Sequence, residues 1–298
     1  QQNVSIGNHL ETGDEILADL WLPAVASNHN ETGIIYLHGS GWHYADKDFG
    51  TRHFFRHLAG QGYVIADVAY TLAPKADLFG MIADVKRAIA WMKNHAHELG
   101  IAPENIILMG GSAGGHLALL AGYTPNHPRL DPEDVTCDTS VCGVVSYYGP
   151  PDLIAQFDRF TELPGLTGKS KFERAFMSYL EFRFGFSPLP VHQLLPEFIG
   201  GTPSQIPDLY ALGSANNHVG KHCPPTLLLQ GMHDFSGAVP EVSKLYTALR
   251  QTGQMAFLLE LPDTEHGFDL FKPQWSPAAQ AATYVTERFL AMFHIGSV

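Results

Sequence analysis

The chain has 298 residues, 45% of them hydrophobic and 16% charged, an ordinary globular composition with ample material for a core. A formal charge of −12 argues against a nucleic-acid partner, because phosphate binding needs clustered Lys and Arg. No apolar run approaches the 18 or more residues of a membrane span, and no cationic-then-apolar signal peptide is present.

In chain order, the opening residues come first. The chain begins with Gln1 and not Met, so a removed upstream segment is expected. Two sequons, Asn3-Val4-Ser5 and Asn30-Glu31-Thr32, lean towards a secreted or extracytoplasmic location, although chance alone supplies about one such tripeptide. Short apolar runs then recur at 33–39, 62–70, 105–111, 141–149, 225–231 and 255–261. They lack polar alternation, as parallel strands covered on both faces should. Helical patterns separate them. Ile82, Val85, Ala88, Ile89 and Met92 form one apolar face of a helix closed by Gly100, and similar patterns cover "VSKLYTALRQTG" and "AAQAATYVTERFLAMF". Strand and helix alternating this often predict a doubly wound, mostly parallel α/β sheet.

Residues 151–223 break the rhythm. They hold many prolines, no clear strand, and the aromatic run "FERAFMSYLEFRFGF", where Phe172, Phe176 and Tyr179 fall at helical spacing. Residues 1–150 and 224–298 are therefore expected to form one core, and 151–223 a helical cap inserted into it. The aromatic helix over 172–186 is either a lid over a pocket or an ordinary packed helix or dimer surface, so a homodimer stays open. Three cysteines make no framework: Cys137 and Cys142 either close a small loop disulfide or remain thiols, as Cys223 does.

Two serines lie between glycines, Ser40 in "LHGSGW" and Ser112 in "ILMGGSAGGHLALLAG". Only the second has a strand before it and a helix after it, the context of the G-x-S-x-G elbow that exposes a nucleophile. The turn is so tight that the residues two before and two after Ser112 must be small. A serine needs a base and an orienting acid, in the order Ser, Asp or Glu, His, each after a later strand. Asp234 follows the run "PTLLLQG", and His266 follows "MAFLLELPDTE". Asp263 and Glu265 adjoin His266 on an extended loop and point apart from it; Asp269 reads as structural and His233 as a pocket wall at best. His53 and His57 have i, i+4 spacing, but no carboxylate completes a zinc motif, and 16 histidines make such pairs common. No metal or other cofactor is expected. The loop His38-Gly39-Ser40-Gly41-Trp42 follows a strand and lacks bulk, which lets backbone N–H groups approach an oxyanion; Ser40 would contribute its N–H there, not its hydroxyl. Trp42 and Tyr44 flank this loop and either line a substrate pocket or simply pack.

Together, "HGSGW", "DVAYTLAP", "ADVKRAIAWMK", "MGGSAGGHLA", "YYGPPDL", "GMHDFSGAVP" and "EHGFDLF" resemble the α/β-hydrolase superfamily, specifically the hormone-sensitive-lipase-like and related small carboxylesterases. The resemblance implies an α/β-hydrolase fold, cofactor-free hydrolysis of short- to medium-chain esters, and oxyanion donors at Ser40, Gly41 and Ala113. It departs from the family at Ser40, where a glycine is usual, and at Thr71, where the family has Arg. Tyr70 is expected to pack behind the site and Asp84 to be a structural carboxylate. No Arg or Lys lies in the catalytic motifs, so neutral small-molecule esters are the expected substrates. Feruloyl or acetyl-xylan esters, an arylformamide or a peptide bond are the competing substrates. A hydrolase-fold receptor without catalysis is disfavoured by the presence of His266.

Overall fold

The computed structural model describes residues 1–24, 30–39, 41–162, 178, 181–182, 189, 191–234, 237, 239–270 and 274–293. Its eight strands are β1 (Val4–Asn8), β2 (Glu15–Trp21), β3 (Glu31–Leu37), β4 (Val64–Ala69), β5 (Ile101–Gly111), β6 (Gly143–Tyr147), β7 (Thr226–Gly231) and β8 (Ala256–Leu261), in the order β1-β2-β4-β3-β5-β6-β7-β8. All neighbours from β4 to β8 across the sheet run parallel, whereas β1 and β2 are antiparallel to their neighbours. The six predicted strands are present. The β1–β2 hairpin goes beyond that prediction: β1 is a short, partly exposed edge strand, and in β2, which pairs on both sides and is mostly buried, Glu15 and Asp19 break the apolar run.

The missing polar alternation has a direct cause. Along β3, Ile35 and Leu37 enter one core while Ile34 and Tyr36 enter the other; along β5, Ile106 and Leu108 divide in the same way from Ile107 and Met109. Helices α2 (Leu78–Asn94), α4 (Ala113–Tyr123) and α8 (Val239–Gln251) supply the first core. Helices α1 (Arg52–Gly60) and α9 (Pro277–Leu290) supply the second. Every residue of α4 is buried, so its sequence is apolar all round. The helix predicted to run unbroken to Gly100 is divided: α2 ends at Asn94 and the single turn α3 (Ala96–Leu99) follows. At the break the His95 backbone N–H and Nδ1 both reach the Trp91 carbonyl, 3.0 and 2.8 Å away. Gly100, in left-handed conformation (φ 66°), then closes α3.

Between β6 and β7 lie α5 (Leu153–Glu162), α6 (Val191–Ile199), α7 (Pro207–Gly213) and a 3₁₀ turn at Ala215–His218, with no strand among the described residues. Of the predicted aromatic helix only Ser178, Glu181 and Phe182 are described, so that expectation lies outside the described residues. Cys137, Cys142 and Cys223 are all free thiols. No helix among the described residues is long and apolar enough to cross a membrane.

Candidate active site

Ser112 is the single residue between the last residue of β5 and the first of α4, with φ 54° and ψ −121°. Such a conformation is strained for a side chain other than glycine and persists only where the surroundings enforce it. Ser112 N–H donates to the Tyr147 carbonyl at the end of β6 (2.8 Å), and the Ser112 carbonyl accepts from His116 N–H in α4 (2.9 Å). Gly110 and Gly114 let the chain double back here: a Cβ on Gly110 would stand 2.5 Å from the Gly114 carbonyl carbon. The half-buried Ser112 side chain thus sits at the N-terminal end of α4, where the helix dipole and the Ala113 N–H favour negative charge.

The loops after β7 and β8 bring Asp234 and His266 to the same end of the sheet. They are bonded to each other, with Met232 N–H donating to the Leu261 carbonyl and His233 N–H to the Thr264 carbonyl, both 2.9 Å. His266 Nδ1 lies 2.8 Å from Asp234 Oδ2, and His266 Nε2 lies 2.9 Å from Ser112 Oγ. Asp234 and His266 are both buried, and Gln230 Nε2 donates to the same Asp234 oxygen at 2.9 Å. An Asp234 acceptor requires the proton on Nδ1, which leaves the Nε2 lone pair for the Ser112 hydroxyl.

The flanking residues separate from this chain of contacts. His233 is exposed and its Nε2 lies 3.7 Å from the exposed Asp263 carboxylate. Asp269 accepts from the Tyr148 hydroxyl, and burial lifts its carboxyl to a pKa of about 6. The Tyr148 ring rests on His266, centroids 4.5 Å apart and tilted by 57°. The sequence reading passed over Tyr148 and Gln230. The available signal was position, since Tyr148 directly follows β6 and Gln230 is the penultimate residue of β7, both at the carboxyl end of the sheet beside Ser112.

The loop after β3 presses against the elbow. A Cβ on Gly39 would stand 3.2 Å from the Ser112 Cβ. The Tyr70 hydroxyl donates to the His38 carbonyl (2.9 Å) and its ring stacks on the His38 imidazole, which burial holds uncharged with a pKa of about 4. Asp84 accepts from Thr71 N–H (2.9 Å) and from Arg87 (3.2 Å), tying α2 to the strand end. Ser40 lies outside the described residues. Gly41 and Trp42 follow in left-handed conformation (φ 68° and 63°). Trp42 is 2% exposed and belongs to the core; its Nε1–H donates to His116 Nδ1 at 3.2 Å. His116 then donates from Nε2 to the Gly213 carbonyl (2.8 Å). Tyr44 is nearly buried, and its hydroxyl accepts from Leu189 N–H at 2.5 Å.

His57 in α1 pairs with Glu287 of α9. Among the described residues no group of three His, Cys, Asp or Glu is placed to hold a metal ion.

A doubly wound sheet with a serine on a strand-to-helix elbow, and a carboxylate and an imidazole on loops after two later strands, defines an α/β-hydrolase fold. The chain belongs to the BD-FAE family, whose model matches residues 18–180. It is 30% identical over 259 residues to the probable carboxylic ester hydrolase LipM of Mycobacterium tuberculosis, covering 87% of this chain and 53% of LipM. Esterase LipQ of the same organism is 28% identical over 260 residues, covering 87% and 55%. The chain thus spans about half the length of these curated relatives. A thermophilic esterase from Thermogutta terrifontis, solved in its native form, superposes with a TM-score of 0.74 at 21% identity over 99% of this chain and 92% of that one.

Proposed function

We propose that this chain is a serine carboxylic-ester hydrolase acting on neutral, short- to medium-chain esters through an acyl-enzyme on Ser112. The observation that carries the reading is the continuous path from Asp234 through His266 to the Ser112 hydroxyl, at 2.8 and 2.9 Å. The names of the mycobacterial relatives, a carboxylic ester hydrolase and an esterase, support the ester bond as the target.

His266 Nε2 takes the Ser112 proton as Oγ attacks the ester carbonyl, and Asp234 holds the imidazole tautomer and stabilises the imidazolium. The carbonyl oxygen becomes an oxyanion, received by the Ala113 N–H at the start of α4 and by the Gly41 N–H of the facing loop, with Ser40 as a third donor. Removing one such donor typically costs about 3–4 kcal/mol, or roughly 10²–10³ in rate. His266 then protonates the departing alcohol, and water repeats the sequence on the acyl-enzyme. The absence of Lys and Arg from the motifs around Ser112, Asp234 and His266 supports uncharged substrates.

Hydrolysis of p-nitrophenyl esters from acetate to decanoate, with Ser112→Ala alongside, tests the reading. The expected result is turnover highest at short to medium acyl chains and abolished by the substitution. Folded wild-type protein that turns over no ester, or whose turnover survives Ser112→Ala, would overturn it.

A further inference from the structure

The turn after β3 packs against one face of α6, in the segment between β6 and β7. Gly41, Trp42 and Ala45 all have φ between 63° and 69°, a conformation that residues with side chains seldom adopt unaided. Three successive side chains of this turn reach α6. The Trp42 indole stacks on Phe198, centroids 5.1 Å apart and planes within 9°. His43 Nε2 lies 3.5 Å from Glu197 Oε2. Tyr44 packs with Leu194 in a small cluster that Phe160 and Leu189 flank, and a Cβ on Gly41 would stand 3.4 Å from the Leu194 Cδ1. Leu194, Glu197 and Phe198 have i, i+3, i+4 spacing, which puts them on one face of α6.

The same residues are tied inward. His43 Nδ1–H donates to the Gly41 carbonyl at 2.7 Å, which fixes the peptide plane between Gly41 and Trp42. The Trp42 carbonyl accepts from Ala73 N–H at 3.0 Å, and its indole is bonded to His116, four residues beyond Ser112. Trp42 therefore makes contacts that shape the turn and one with α6, whereas His43, which burial keeps uncharged with its one proton on Nδ1, shapes the turn and only faces Glu197.

We infer that α6 is a positioning element for the oxyanion turn, with Phe198 acting through Trp42 and Leu194 through Tyr44 and Gly41 as its positioning residues, a role that rests on the esterase reading above. The segment between β6 and β7 is then more than a cover: displacing α6 changes where the Gly41 N–H points. An oxyanion contact strengthens as the carbonyl oxygen gains charge, so weakening α6 lowers kcat while KM holds.

The test measures kcat and KM on p-nitrophenyl butyrate for wild type, Phe198→Leu, Phe198→Tyr and Leu194→Ala, with Gln193→Ala on the exposed face of α6 as control. Folded fraction is checked by circular dichroism. A trifluoromethyl ketone, which forms a tetrahedral adduct bearing the oxyanion, supplies a second readout. Phe198→Leu is expected to lower kcat about 10-fold, a fraction of the loss of a whole donor, with KM within about two-fold. Ketone affinity should fall in proportion. Phe198→Tyr should restore both, Leu194→Ala should show a smaller loss of the same kind, and Gln193→Ala should leave them unchanged. If Phe198→Leu does not fold, Leu194→Ala carries the test. Folded Phe198→Leu and Leu194→Ala with wild-type kcat and ketone affinity would overturn the role of α6 while leaving the esterase reading intact. Wild type without Ser112-dependent hydrolysis would overturn both.

Discussion

Gly114 lies so close beneath the end of β3 that a Cβ placed on it would stand 2.0 Å from the Leu37 carbonyl oxygen and 2.6 Å from that of His38. The obstructing atoms are backbone, so neither partner can rotate away. The contact joins the start of α4, next to Ser112, to the strand end that leads into the turn at Gly41–Tyr44. Gly114→Ala is expected to push these elements apart, costing about 3 kcal/mol or more of stability. Activity should fall at least about 100-fold, since misplacement of about 1 Å has that effect. Denaturant unfolding beside ester hydrolysis checks both, and wild-type values in either would contradict this account.

Asp234 receives two hydrogen bonds on one oxygen, from His266 Nδ1 and from Gln230 Nε2. Asp234→Asn keeps the shape but can present an N–H to the ring, which favours the wrong tautomer. A loss of about 10⁴ in kcat is expected with the fold retained. Gln230→Met removes the hydrogen bond that orients the carboxylate, worth about 1.5–3 kcal/mol at a charged acceptor, together with one to the Gly231 carbonyl (3.0 Å), so a loss of about 10- to 100-fold is expected. Steady-state kinetics on one ester ranks the two, and equal losses would rule out the assigned difference in role.

Tyr148 donates its hydroxyl to the Asp269 carboxylate while its ring faces His266. Tyr148→Phe keeps the ring and strips the bond, leaving the Asp269 acceptor short of a partner. A stability loss of about 1–3 kcal/mol is expected in thermal or denaturant melts. Because the ring contact with His266 survives, kcat should fall far less than in Asp234→Asn. A kinetic loss matching that variant would make the hydroxyl part of the chemistry.

Asp67 is fully buried in β4, with its Oδ2 accepting from Asp48 N–H at 2.6 Å. Burial lifts its pKa from 3.8 to about 8, opposed by the bond from the Asp48 N–H and, less, by the Lys47 charge, and helped by the charges of Asp19 and Asp48. A folded-state pKa above the unfolded one means that the native protein holds the proton more tightly. The stability this contributes is complete below about pH 4 and is lost as pH rises towards 8, at about 1.4 kcal/mol per pH unit inside that window. Asp67→Asn should remove this component. Urea melts from pH 5 to 8 should then show a flatter profile for the variant than for wild type, and parallel profiles would refute the assignment.

Much of the architecture was legible without coordinates. Apolar runs such as Ile34–Leu37 and Ile106–Met109 betrayed strands covered on both faces, because burial on both sides removes the polar alternation that half-exposed strands keep. The spacing of Gly110, Ser112 and Gly114 between a strand and a helix exposed the elbow, since steric limits on so tight a turn act within a few residues. β1 escaped because it is an edge strand that faces water and carries mixed side chains, and β2 because Glu15 and Asp19 interrupt its otherwise buried apolar run. Trp42 could be read equally as a pocket wall or as packing, and its neighbours Phe198 and His116 lie far away along the chain.

The sequence by itself determined the parallel α/β architecture, the elbow at Ser112 and the order of Asp234 and His266 after two later strands, because strand and helix periods and turn sterics are local. Only the tertiary structure decided that β7 and β8 lie side by side, so that Met232 and His233 bond the next loop and Asp234 meets His266. It alone placed α6 against the turn at Gly41–Tyr44. Those pairings depend on which surfaces best bury one another across the whole chain, a global competition that no short stretch of residues records.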